Sequence, residues 1–329
     1  MSELSITPTI SRIDVAGQQH WPEQFPLVYR LQDNTCELEA VAAWLTQNRT
    51  ALLGELDRHG AILLRNFPLR DGATFDRCVR AFGLNNFAYK NSLSNAVRHN
   101  VTERVFTANE APADVAIYLH HEMAQTPFYP SRLFFFCEQA PESGGETPLC
   151  RSDILLEKLQ QRIPAFIHRC QELGVRYTNV MPAEDDAGSG QGRSWRSTLR
   201  VDSPRMAETK LQALGYNWQW LKDDNLRVTT ATLPAVRQLP DGRRVFFNQL
   251  IAACRGWQDA RNQANKSISY GDGSDFESAH LAALVEISDR LTVALPWETG
   301  DLALVDNFLV MHGRRPFRGK RRVLASLVE

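Results

Sequence analysis

The sequence contains none of the paired cysteines that mark zinc ribbons and redox dithiols. Its six cysteines include no Cys-x-x-Cys spacing, and several of them lie among apolar residues. We expect reduced thiols that pack as small core residues in a cytoplasmic protein. The cysteines therefore indicate neither a metal site nor a redox function.

Long apolar runs and an excess of charge of either sign are also missing. The 329 residues include 37 basic and 38 acidic side chains, with a net charge of −1, so nothing indicates a nucleic-acid partner. The longest apolar runs, such as residues 133–137, are far too short to span a bilayer. The N-terminal residues 1–19 contain no apolar segment typical of a signal peptide. We therefore expect a cytoplasmic protein that binds neither nucleic acid nor a membrane.

A glycine-rich phosphate-binding motif is absent as well, which counts against a doubly wound nucleotide-binding sheet. The chain begins with an α/β portion, about residues 1–90. There the apolar spacing predicts helices over 38–58 and 73–82 and a buried strand over 61–64. Most later apolar segments are short and typical of strands. We predict a mostly β protein with flanking helices, built as one domain (1–329) around a double-stranded β-helix, or jelly-roll, core.

The pattern of alternating apolar residues weakens over residues 177–215. Within this segment, residues 185–192 are rich in glycine, serine and aspartate and predict a mobile loop. Such insertions often act as lids over active sites, so we interpret 177–215 as an inserted, lid-like segment. A plain surface loop is an equally good interpretation of the composition alone.

His120 and Glu122 are the strongest candidates for a metal site. In a β-strand, residues i and i+2 face the same side, so both would point into one cavity, while His121 would face away and make a structural hydrogen bond. Two imidazoles and one carboxylate form the facial triad that holds non-haem Fe(II) and leaves coordination positions open. On its own, a His-x-Glu pair more often belongs to an ordinary polar strand.

Further motifs follow this pair in a specific order. They are Gly-Gly-x-Thr-Pro ending at Pro148, Asp-Asn-x4-His ending at His312, and the Arg321-Arg322 pair. In this order and spacing, the sequence resembles the taurine dioxygenase (TauD/TfdA) family of Fe(II)/2-oxoglutarate-dependent oxygenases. The resemblance runs from about residue 59 to the C-terminus. It is strongest to the clavaminate-synthase-like branch, which includes the syringomycin-pathway aspartyl hydroxylase.

The resemblance implies a role for each motif. His120, Glu122 and His312 would be the metal ligands for Fe(II). Thr147 and Arg322 would bind the distal carboxylate of 2-oxoglutarate, since a guanidinium can grip a carboxylate with two hydrogen bonds and a hydroxyl can donate a third. Neighbours on a strand face opposite sides, so we expect Arg321 to be a solvated surface charge.

The family's chemistry sets the expected function. With Fe(II), O2 and 2-oxoglutarate, it implies hydroxylation of an unactivated C–H bond in an amino acid or amino-acid derivative. This small-molecule substrate would be free or tethered to a peptidyl carrier protein, in natural-product (antibiotic) biosynthesis. Homo-oligomers are frequent in the family. Glu122 counts against halogenation, because family halogenases replace this carboxylate with a small residue.

Three alternatives stay open at this stage. A desaturase or an epoxidase would use the same iron site. A zinc hydrolase could use the same three ligands, but it would have no need for Arg322 and Thr147. A non-catalytic jelly-roll binding protein would have no reason to keep all three ligands.

Two other charged groups have competing interpretations. Asp306 is typical of a turn residue, although it could instead orient His312. Arg193 and Arg196 flank Trp195 after the predicted mobile loop. They could meet a substrate carboxylate or a carrier-linked phosphate, but a surface position is the simpler expectation.

Overall fold

A computed structural model describes residues 8–33, 35–94, 96–108, 111–186, 189, 192–256, 261–262 and 266–329. Its strands are β1 (Ile10–Arg12), β2 (Gln19–Trp21), β3 (Glu23–Phe25), β4 (Leu27–Leu31), β5 (Ala61–Arg65), β6 (Val105–Thr107), β7 (Ile117–His120), β8 (Arg132–Gln139), β9 (Ser143–Gly144), β10 (Thr147–Arg151), β11 (Val175–Met181), β12 (Asn217–Trp220), β13 (Leu226–Thr229), β14 (Arg237–Gln238), β15 (Arg244–Val245), β16 (Ile268–Tyr270), β17 (Val293–Leu295), β18 (Leu302–Asp306), β19 (Val310–Arg314), β20 (Phe317–Arg318) and β21 (Arg322–Val328). Its α-helices are α1 (Leu38–His59), α2 (Gly72–Ala81), α3 (Ser152–Arg162), α4 (Pro164–Leu173), α5 (Trp195–Leu199), α6 (Pro204–Ala213), α7 (Leu250–Gly256) and α8 (Ser278–Arg290).

Two sheets form the body of the protein. The larger has seven strands in the order β1-β4-β5-β18-β8-β21-β6, and the smaller has four in the order β17-β10-β19-β7. A cluster of buried apolar side chains from both sheets fills the space between them, including Leu63, Leu149, Val305 and Val310. The predicted mostly β fold with a jelly-roll core and flanking helices is confirmed.

The N-terminal portion is part of this body, because β4 and β5 extend the larger sheet beside β18. Helices α1 and α2, predicted within two residues of their observed bounds, cover the outer face of that sheet. Gly60 ends α1 in the left-handed conformation (φ 82°), which glycine adopts without a steric penalty. Asp71 begins α2 by accepting a hydrogen bond from the Thr74 backbone N–H.

Residues 177–215, predicted to be an inserted segment, include most of β11 and all of α5 and α6. Strand β11 belongs to another four-stranded sheet, in the order β12-β13-β11-β16, and α5 and α6 pack against that sheet around the buried Trp195 and Leu211. Of the predicted mobile loop, Ala187, Gly188, Gly190 and Gln191 lie outside the described residues. No helix among the described residues has the length and apolar character needed to cross a membrane.

A buried ion pair joins β5 to the start of β18. The Arg65 guanidinium contacts the Asp301 carboxylate at 2.8 Å, and their side chains are only 7% and 1% exposed. Arg65 also contacts Glu298 at 2.8 Å, but the Glu298 side chain is 54% exposed. If Asp301 were removed, water could not easily solvate the part of the Arg65 guanidinium that Asp301 contacts.

We expect Asp301→Ala to lower the free energy of unfolding by about 3 kcal/mol, because it leaves the Arg65 charge buried and poorly compensated. Urea unfolding measures the change. The matched control is Glu298→Ala, which removes the exposed partner of the same arginine and should cost less than about 1 kcal/mol. If both variants lost the same free energy of unfolding, Asp301 would not be the main counter-charge of Arg65.

Candidate metal and co-substrate site

Two neighbouring strands of the smaller sheet bring the predicted metal ligands together. His120 at the end of β7 lies directly opposite His312 on β19, and their ring centroids are 4.4 Å apart. The Glu122 Oε2 atom lies 3.5 Å from His312 Nε2 and 3.9 Å from His120 Nε2. One ligand atom from each of the three residues lies within 4.8 Å of the other two, which suits a single metal ion.

Glu122 reaches this cluster from a turn. Strand β7 ends at His120, so the expectation that one strand carries both residues is wrong. Asn307 fixes the turn: its Oδ1 accepts from the Glu122 backbone N–H at 2.8 Å, and its Nδ2 donates to the Glu122 carbonyl at 3.0 Å. His121 faces away, as predicted, and its Nδ1 hydrogen-bonds to the Asn307 carbonyl.

The charge states of these side chains suit a cation. Burial would raise the pKa of Glu122, but the Arg98 guanidinium and the His312 imidazole more than offset it and hold that pKa well below its usual range. Burial, followed by the nearby His312, lowers the pKa of His120 to about 4. The site therefore presents an ionised carboxylate and a neutral His120, which are the forms that bind metals.

Hydrogen bonding also directs the His120 ring. Its Nδ1 lies 2.8 Å from the Tyr118 carbonyl, so this nitrogen carries the proton and the Nε2 lone pair faces Glu122 and His312. Two imidazoles and one carboxylate are a donor set that fits Fe(II) and would leave it able to bind further ligands. The same donors also fit zinc, so the neighbouring pocket has to distinguish the two.

A pocket of about 60 Å³ adjoins the cluster, and cationic side chains line it. These cations are Arg98, Arg314 and Arg321, and the hydroxyl of Thr147 lines the same pocket. Thr147 Oγ1 accepts a hydrogen bond from Trp297 Nε1 at 2.9 Å, so its own hydrogen can be donated to a ligand. Arg321 Nε donates to the Gly145 carbonyl at 3.0 Å. Burial, then the nearby Arg314, lowers the pKa of Arg321 to about 10, which still leaves it charged at neutral pH.

Arg322 lies on the opposite side of the sheet. Its side chain is 54% exposed and forms an ion pair with Glu138 at 2.5 Å. The expectation that Arg322 faces inward and Arg321 outward is therefore wrong. Arg321, which immediately precedes β21, and Val323 both line the pocket, and the pairing of β21 with β8 shifts register between Arg322 and Val323.

The Gly-Gly motif lets the backbone pass beneath Arg321. Gly144 and Gly145 have φ angles of +72° and +70°, which side-chain-bearing residues rarely adopt. A Cβ atom on Gly144 would lie 2.3 Å from the Pro316 carbonyl oxygen, and one on Gly145 would lie 2.9 Å from Arg321 Cδ. The motif therefore places β10, and with it Thr147, next to the arginine.

Arg98 is the site residue that the sequence analysis missed. Its Nη2 donates to both Glu122 oxygens, at 3.0 and 3.2 Å, and its side chain is only 8% exposed. The guanidinium lies 4.6 Å from the centroid of the Tyr89 ring and 5.4 Å from that of Phe106. The polar stretch around Arg98 gave no periodic signal from which this position could be recognised.

The other two charged candidates have structural positions. Asp306 accepts hydrogen bonds from the Phe308 and Leu309 backbone N–H groups, so it is the turn residue that its sequence context favoured. Arg193 is buried, contrary to the expected surface position, and its Nη1 donates to the Ser92 and Ser94 carbonyls at 3.1 Å. It thus ties the inserted segment to the chain that leads to Arg98.

Comparison with known proteins places this geometry in a family. Residues 23–327 match the model of the taurine catabolism dioxygenase TauD, TfdA family. A clavaminate synthase-like protein of Arabidopsis thaliana is 40% identical over 273 residues, which cover 83% of this chain and 82% of that protein. A dapdiamide synthesis protein of Enterobacter agglomerans is 27% identical over 290 residues, covering 83% of each chain.

Solved structures share the fold. PvcB of Pseudomonas aeruginosa superimposes with a TM-score of 0.57 at 16% identity, covering 100% of this chain and 93% of its own. The chain belongs to the TauD/TfdA family, in its clavaminate-synthase-like branch, and is a 2-oxoglutarate-dependent dioxygenase that uses Fe(II) and O2.

Proposed function

We propose that this enzyme hydroxylates an unactivated C–H bond of an amino acid or amino-acid derivative, free or tethered to a carrier protein. His120, Glu122 and His312 hold the iron, and Thr147 and Arg321 bind the distal carboxylate of 2-oxoglutarate. The observation that carries the proposal is the convergence of the three metal donors beside a pocket that contains both the partly buried Arg321 and a hydroxyl hydrogen of Thr147. A zinc hydrolase would have no use for that second pair.

When bound, iron and 2-oxoglutarate supply the oxidation by O2, with succinate and CO2 formed from the keto acid. The protein positions these reactants and excludes water. Arg321 neutralises the far carboxylate of the co-substrate and fixes its direction, and Thr147 donates a further hydrogen bond to it. The neutral His120 and the ionised Glu122 would hold the metal together with His312, and the pocket that His120 and His312 line is where the reactants would bind.

The substrate class is inferred from charge and from the names of the relatives. Arg98 is paired with Glu122, and the neighbouring Arg321 adds a further positive charge to the pocket, which favours ligands that carry a carboxylate. One relative is named for dapdiamide synthesis, which supports a place in natural-product biosynthesis. We further propose that the segment 177–215 closes over the bound substrate, since Arg193 already joins it to residues 92–94.

The direct test measures succinate released from 2-oxoglutarate by the Fe(II)-loaded enzyme in air, with a panel of amino acids. We expect one or more of them to stimulate turnover, and His120→Ala to abolish it by removing a metal donor. The control is His168→Ala, which removes an imidazole that is 70% exposed. Mass spectrometry of the product separates hydroxylation from desaturation and epoxidation, and normal turnover by His120→Ala would refute the proposal.

A further inference from the structure

A second cavity, which we call the insertion chamber, lies beside the turn that carries Glu122. One wall is the face of the β11–β13 sheet, and the other is formed by α5 and α6 of the inserted segment together with Tyr216, which follows α6. Gln125, three residues after Glu122, also lines the chamber. The chamber encloses about 30 Å³, which is room for a small polar group.

Three polar atoms line this chamber without a hydrogen-bond partner among the described residues. They are the Thr198 and Tyr216 hydroxyl oxygens and the Gln125 side-chain carbonyl oxygen. Thr198 and Tyr216 are only 3% and 8% exposed. Buried polar groups in folded proteins are almost always satisfied, so three in one cavity indicate a missing hydrogen-bonding partner.

Three further hydroxyls of the chamber each have at least one partner within the protein, and Asn179 is another polar residue of its lining. The Tyr177 hydroxyl accepts from the Gln249 backbone N–H at 2.9 Å, and Thr230 Oγ1 accepts from the Tyr177 backbone N–H at 3.1 Å. Thr126 Oγ1 donates to the Phe128 carbonyl at 2.6 Å. The buried atoms of the described lining residues that lack any partner are therefore two hydroxyl oxygens and one amide oxygen, which come from α5, from the turn after α6 and from the metal-site turn.

Charge defines what the chamber accepts. None of the described side chains that line it is an Asp, Glu, Lys, Arg or His, in contrast to the three arginines of the pocket beside the metal. Leu93, Leu199 and Val228 complete the walls. A carboxylate or an ammonium group would enter this space without a counter-charge, whereas a neutral group would find donors and an acceptor.

We propose that the insertion chamber is a substrate-binding subsite for a neutral hydrogen-bonding end group, a carboxamide or a hydroxyl. Its two hydroxyls donate to the carbonyl of that group, and Gln125 accepts from its N–H or O–H. The substrate assignment rests on the proposed function, because the turn after Glu122 then places the rest of the molecule near the metal. It predicts a substrate with a neutral polar end in addition to its carboxylate.

The test uses acetamide as the probe and acetate as its charged analogue of the same shape. Binding to the full-length protein is measured by ligand-observed NMR titration for the wild type, for Tyr216→Phe and for Thr198→Val/Tyr216→Phe. Tyr270→Phe is the matched control, because the Tyr270 hydroxyl is also buried without a partner but does not line the chamber. Both hydroxyl-removing changes keep the side-chain shape, and thermal unfolding confirms that the variants fold.

We expect the wild type and Tyr270→Phe to bind acetamide at least tenfold more tightly than acetate. The double variant should lose at least tenfold in acetamide affinity, with Tyr216→Phe between. Equal binding of the two probes, unchanged binding by the double variant, or ordered water alone in the chamber of an acetamide-soaked crystal would overturn the proposal. Mn(II) and 2-oxoglutarate binding, measured on the same preparations, tests the proposed function separately, since acetamide binding does not require either.

Discussion

Arg321→Met is expected to raise the dissociation constant for 2-oxoglutarate at least a hundredfold, which corresponds to about 2.7 kcal/mol. The arginine is partly buried, lines the pocket beside the metal donors and donates to the Gly145 carbonyl, two residues before Thr147. Its removal leaves a carboxylate of the co-substrate in a low-dielectric pocket without its main counter-charge. Methionine retains most of the side-chain volume, so the pocket keeps its shape.

The neighbouring residue provides the matched control. Arg322→Met removes the same charge one position further along β21, but from an exposed ion pair with Glu138. We expect its dissociation constant to stay within about twofold of the wild-type value, because exposed ion pairs contribute little. Calorimetric titration of 2-oxoglutarate into the Mn(II)-loaded proteins, without O2, measures both constants. If Arg322→Met raised the dissociation constant more than Arg321→Met did, Arg322 would be the residue that binds 2-oxoglutarate.

The arginine pair shows where sequence reasoning fails for a strand buried on both faces. Alternation establishes that only one of Arg321 and Arg322 can face inward, but not which one. Val323, Leu324, Ala325 and Ser326 are all buried, so the apolar pattern of β21 contains no information on its phase. An assignment taken from family resemblance can then be wrong by one residue. The β21–β8 pairing shifts register between Arg322 and Val323, next to the arginine that was wrongly assigned.

The metal donors do converge as predicted, but the structural reason differs in part from the one that the sequence indicated. The His-x-Glu spacing indicated that both side chains share a cavity, and they do, yet Glu122 depends on a turn held by Asn307 from 185 positions further along the chain. The helices and the jelly-roll core followed from periodicity, which is a local property of the sequence. Partners such as Asn307 and Arg98 are set by tertiary packing, and no local pattern encodes them.

Arg98→Met is expected to lower the free energy of unfolding of the metal-free protein by about 3–5 kcal/mol, because it leaves the Glu122 carboxylate buried without its counter-ion. A divalent cation bound by Glu122, His120 and His312 would supply that missing charge. We therefore expect saturating Mn(II) to stabilise Arg98→Met more than it stabilises the wild type. Urea unfolding with and without Mn(II) measures the difference.

Arg193→Met distinguishes this electrostatic role from simple packing. Arg193 is also buried, but its guanidinium donates to backbone carbonyls, including those of Ser92 and Ser94, and to Ser197. Its loss should destabilise the protein without any extra recovery on adding Mn(II), because no carboxylate is left unpaired. If the metal stabilises both variants to the same extent, Arg98 acts only as packing around Tyr89. If only Arg98→Met recovers, the guanidinium and the metal ion neutralise the same carboxylate.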